Sequence, residues 1–223
     1  MSAGAAASTG VDELSGQKRS PLAHLLHALN QPLTGLQCAL ELATLATRTP
    51  EQYRQTLHEG LELTERMRVL VEALREVADM AQDKPEEREA LALDQLLVDA
   101  VEKLKPFAVE RGIGMKLSLG NRPLPTCGIR RRLGPALVRL LDATLARAAN
   151  TTTVEIKGRI DGGAVLMSMS WSQDETGCEE WVWRHRELAL LIARALWEEM
   201  GMQWASTRTA MSQQIEIRLP LAV

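Results

Sequence analysis

One run of this chain gathers groups able to do chemistry: His27-Ala28-Leu29-Asn30-Gln31-Pro32-Leu33. A neutral imidazole is a nucleophile and a proton acceptor near neutral pH, and the amide of Gln31 can orient a water for hydrolysis. His24 could form half of a metal pair, but no third ligand stands at a useful spacing. Around these residues Leu22, Leu26, Leu29, Leu33, Leu36, Leu40 and Ala43 recur at intervals of four and three, the seam of a coiled helix. With that seam at a and d, His27 falls at b and both His24 and Gln31 at f, all on the solvent side. An exposed helical histidine is commonly just a surface residue. Pro32 makes this one unusual, because it removes a helical hydrogen bond and is predicted to bend the helix just beyond the imidazole.

The helix that must carry His27 ends near Thr47. Thr49-Pro50-Glu51-Gln52 then reads as an N-cap, a proline at the first helical position and a Gln three residues after the cap. In the helix that follows, Leu63, Met67, Leu70, Leu74, Val77 and Ala81 repeat the seam, flanked by Leu57, Leu61 and Val71, with Glu62 and Arg66 an i,i+4 pair outside. Two long helices and a tight turn make an antiparallel hairpin. Its apolar stripes are too broad for one hairpin to bury, so a second copy is expected to complete a four-helix bundle in a homodimer. Residues 1–20 read as a disordered leader, 21–82 as the hairpin and 83–90, charged and containing Pro85, as a linker.

From residue 91 to 223 the pattern changes. It predicts a helix to about Glu110, a strand over 115–119 and a helix over 131–149. Strands at 152–160 and 164–171 follow, then a helix over 183–200 stopped by Gly201, and strands at 202–206 and 213–219. Helices interspersed with paired strands imply a two-layer α/β sandwich, so the fold class is α+β: a helical hairpin followed by a helical layer on a mixed sheet.

With these elements in place the chain resembles sensor histidine kinases, whose dimerisation helix carries a phosphorylatable histidine in a motif like H-E-L-N-Q-P-L; six of its seven letters stand at 27–33. The resemblance spans roughly 21–221, down to the closing Ile217-Arg218-Leu219-Pro220-Leu221. It implies that His27 is a phosphoacceptor and that residues 91–223 form a kinase-type ATPase-like domain. The departures carry as much information. The family has an acid after the histidine, acting as general base; here stands Ala28, and losing a positioned base costs about 10²- to 10⁴-fold. Its Asn-rich helix N-L-L-x-N-A is matched by Arg139-Leu140-Leu141-Asp142-Ala143-Thr144, with Arg and Ala where the two Asn belong, so a magnesium ligand is missing. Its glycine boxes are matched only by Asp174-Glu175-Thr176-Gly177-Cys178, and Glu175, Glu179 and Glu180 would repel a triphosphate. The resemblance thus implies a kinase-derived fold with an erased nucleotide site, as in dimeric histidine phosphotransferases.

The expected function is histidine phosphotransfer in a two-component phosphorelay: a phosphoryl group moves between receiver-domain aspartates and His27 without ATP, and the receiver supplies Mg²⁺ and the cationic group. No cofactor or metal is expected on this chain. Rival readings are a pseudokinase scaffold or receiver phosphatase using Gln31, a residual sensor kinase, and an interaction module. Trp181, Trp183 and Trp197 with Leu188 and Leu191 read as packing for a collapsed lid, and Arg130-Arg131-Arg132 as a solvated face opening a helix. The formal charge of −3, from 26 Lys+Arg against 29 Asp+Glu, supplies no excess of cation for nucleic acid or an anionic membrane. Aromatics at 3% leave a core of Leu, Ala, Val and Met. Cys38, Cys127 and Cys178 lie too far apart for a zinc motif and fit a reducing, cytoplasmic setting. No stretch reaches the roughly 18 apolar residues of a membrane span.

Overall fold

The computed structural model describes residues 20–45, 47–82, 88–172, 180–209 and 211–222. The leader, most of the linker and the stretch 173–179 that holds the lone glycine of the kinase-like box lie outside the described residues.

Helices α1 (Pro21–Leu45) and α2 (Pro50–Gln82) form the hairpin. The turn is closed by a reciprocal capping box: the Thr49 N–H donates to Gln52 Oε1 at 2.9 Å, and the Gln52 N–H donates to Thr49 Oγ1 at 3.3 Å. Where the helices cross, small residues admit large ones. A Cβ on Gly60 would come within 3.2 Å of Leu36, and one on Gly35 within 3.6 Å of Leu63.

Among the described residues seven strands and three helices follow. Strands β2 (Gly114–Leu119), β4 (Thr153–Asp161), β5 (Ala164–Ser172), β6 (Gln203–Arg208) and β7 (Ser212–Pro220) form a mixed sheet in the order β2-β4-β5-β7-β6. Only the β2–β4 pair is parallel. Alternation sends Val165, Met167, Met169 and Trp171 of β5, with Gln213, Ile215, Ile217 and Leu219 of β7, to the buried face. That face is covered by α3 (Leu93–Glu110), α4 (Arg130–Arg147) and α5 (Glu180–Glu199). Trp197 is fully buried among them, its indole N–H donating to the Ala136 carbonyl at 3.3 Å. It belongs to the main core rather than to a lid, while the Trp181 and Trp183 side chains lie outside the described residues. Gly201 ends α5 as expected: at φ +81° it donates to Glu198, and Met202 donates to Trp197, which satisfies two terminal carbonyls.

Two strands escape the sequence pattern. β1 (Glu89–Ala92) pairs antiparallel with β3 (Pro125–Gly128), placing Ala90 opposite Cys127. The supposed linker therefore ends at a strand, and the next helix begins at Leu93 rather than Leu91. Four-residue strands carry too few alternations to register as a period.

The larger revision concerns the hairpin. Leu29, Leu36 and Ala43 of the α1 seam are half-buried, but Leu26, Leu33 and Leu40 are 47%, 51% and 49% exposed. The buried stripe on α1 is instead Leu25, Ala28 and Pro32, at seam positions g and c. What buries part of it is this chain's own α5. Leu188, Ile192, Ala195 and Leu196 pack with Leu25 and Ala28 of α1 and Leu70, Ala73 and Val77 of α2 as a second hydrophobic cluster. Leu188 and its partly buried neighbour Leu191 thus serve a junction between the hairpin and the α/β layer.

Candidate functional site

His27 is exposed on α1, as its b position requires, and Gln31 is exposed one turn later. His24, placed on the same solvent side by the heptad, is half-buried. No cluster of three or more His, Cys, Asp or Glu able to hold a metal occurs among the described residues. Pro32 is buried and α1 continues through it. Proline donates no backbone hydrogen bond, so the Ala28 carbonyl lacks its usual i+4 partner, and a turn further on the Thr34 hydroxyl donates to the Asn30 carbonyl at 2.9 Å.

Ala28 is the informative neighbour. It is 6% exposed and sits in the apolar cluster beneath α5. Ala28 also borders the groove that Arg66 and Arg194 line, so a larger side chain at this position would crowd the contacts with α5 rather than enter a wholly apolar space. The small residue after the histidine is thus part of the packing that seats the α/β domain on the hairpin.

The helix matching the Asn-rich box also turns toward the hairpin. Arg139 of α4 forms an ion pair with Glu76 of α2, and Ala143 is buried in the main core. Arg139, Asp142, Glu72 and Glu76 line a cleft of about 230 Å³ between α2, α4 and α5. The basic run begins α4 as expected, with Arg130 Nε 3.5 Å from Glu89 of β1. Cys38 and Cys127 are free thiols.

Arg66 departs from its expected pairing outside the hairpin. Glu62 lies 3.4 Å from His58 Nε2, while Arg66 is half-buried and lines a groove of about 330 Å³ with Gln31, Arg147, Arg194, Arg208 and Gln213, among others. Sequence reading missed this groove because its lining comes from α1, α2, α4, α5, β6 and β7, far apart in the chain. One signal was available. In a strand that otherwise alternates cleanly, Gln213 falls on the buried face with Ile215, Ile217 and Leu219, and a polar side chain there asks for partners.

Comparison with known proteins agrees with this architecture. Residues 17–83 match the model of the His Kinase A (phospho-acceptor) domain, and no curated protein matches the chain. Among solved structures, the Acinetobacter baumannii histidine kinase AdeS superposes with a TM-score of 0.56 at 16% identity, covering 88% of this chain and 98% of that one. The catalytic domain of histidine kinase ThkA, at 15% identity and TM-score 0.51, covers 60% of this chain and 97% of its own. Full-length ShkA, solved in complex with AMPPNP, matches at TM-score 0.55 and 19% identity over 92% of this chain and 47% of that one. The hairpin thus matches the phospho-acceptor domain of the His Kinase A type, and the chain as a whole shares the fold of solved histidine kinases.

Proposed function

We propose that this protein acts in two-component signalling as a histidine phosphotransfer protein, exchanging a phosphoryl group between receiver-domain aspartates and His27. The observation that carries the reading is the contrast between adjacent residues: His27 is exposed, whereas Ala28 is buried beneath α5. The imidazole is open to a docking partner, and the position from which an acid would act as base is taken up by packing.

In the proposed step an imidazole nitrogen attacks the phosphorus of an aspartyl phosphate in line. The N–P bond forms as the bond from phosphorus to the aspartate oxygen breaks, and the aspartate leaves as a carboxylate that needs no protonation. Positioning by the docked receiver supplies the rate, with phosphorus within about 3 to 3.5 Å of the nitrogen. This chain need not hold ATP or Mg²⁺, which fits the residues of α4. A guanidinium paired with Glu76 and a buried alanine stand at the positions of the two asparagines, and neither coordinates a cation. Homodimerisation belongs to the same proposal, because Leu26, Leu33 and Leu40 of α1 and Leu57 and Leu61 of α2 remain exposed. No helix among the described residues is long and apolar enough to cross a membrane.

The test is incubation with phosphorylated receivers from the source organism. Label should pass to this protein, be acid-labile and base-stable, and vanish in His27→Gln, while His24→Gln changes little. A second reading, receiver phosphatase, draws on Gln31, which is exposed at the mouth of the arginine-lined groove. It predicts that wild type and His27→Gln both accelerate phosphate release and that Gln31→Ala stops it.

A further inference from the structure

We draw no further inference here: the strongest candidate, the apolar-walled cleft between α2, α4 and α5 with Glu72, Glu76 and Asp142 at its rim, carries nothing, because Glu72 is already paired with Arg68 and Glu76 with Arg139 and nothing in the structure shows what covers it.

Discussion

The interior of the α/β domain and the cluster beneath α5 are both built largely of leucine, isoleucine, valine and alanine, yet they hold different things together. The first joins a five-stranded sheet to three helices and completes one domain around Leu140, Ile156 and Trp197. The second joins that domain to the hairpin through Leu25, Ala28, Leu70, Ala73, Val77 and four residues of α5. α5 belongs to both: Ala193 and Trp197 face the sheet, while Leu188, Ile192, Ala195 and Leu196 face the hairpin. A helix apolar on two sides is a sandwiched helix. Ala28, the residue beside His27, is one of the contacts that join the hairpin to the α/β domain.

The two clusters should fail differently. Leu140→Ala removes a fully buried side chain from the main core and should destabilise the domain by about 3 kcal/mol, seen as a lower urea midpoint. An unchanged midpoint would deny that this core governs the domain's folding. Ala28→Glu overpacks the smaller cluster at a cost of about 2 kcal/mol. It should open the dock while sparing the domain: hydrogen exchange should rise in α1 and α5, with no matching change in β5 or β7. It should not gain ATP-dependent autophosphorylation, and if it did, both the account of Ala28 and the phosphotransfer reading would fall.

Leu33→Asp probes the face that α5 leaves open. With Leu33 51% exposed, the substitution should spare the fold and the dock but weaken self-association at least about a hundredfold, since each dimer would bury two carboxylates. Light scattering at micromolar concentration reports it, and a wild-type mass near 24.6 kDa would remove the four-helix bundle altogether. Leu70→Asp, by contrast, should open the dock, because Leu70 is buried in the cluster with α5. The smallest effect is expected from Arg139→Ala. Its ion pair with Glu76 bridges α4 and α2 at the surface, and such a pair is worth about 0.5 kcal/mol, so a loss comparable to that of Ala28→Glu would shift the dock's stability from apolar contact to charge.

Much of the architecture was readable in the chain. The turn at Thr49–Gln52 and the stop at Gly201 are local devices whose hydrogen bonds join residues three to five apart, so their residue types suffice to recognise them. The alternation of β5 and β7 and the exposure of His27 and Gln31 follow from period alone. β1 and β3 were not readable, being too short for a period and stabilised by a partner some 36 residues away. Nor did the heptad assign the α1 stripe correctly. A repeat of four and three identifies an apolar face but not which neighbour covers it, and Leu25 and Ala28 are buried because α5 and α2 lie against them.

The sequence by itself determined that two long helices precede an α/β sandwich, that an imidazole stands exposed on the first of them, and that acid and asparagines are lacking where the kinases have them. Those are properties of single residues and short-range periods, which need no partner to be expressed. Only the tertiary structure decided that Ala28 is a packing residue, that Arg139 reaches back to α2, and that four arginines and Gln213 share one groove. Each depends on groups tens to more than a hundred residues apart meeting in space, and burial and charge convergence come into being only when the chain closes on itself.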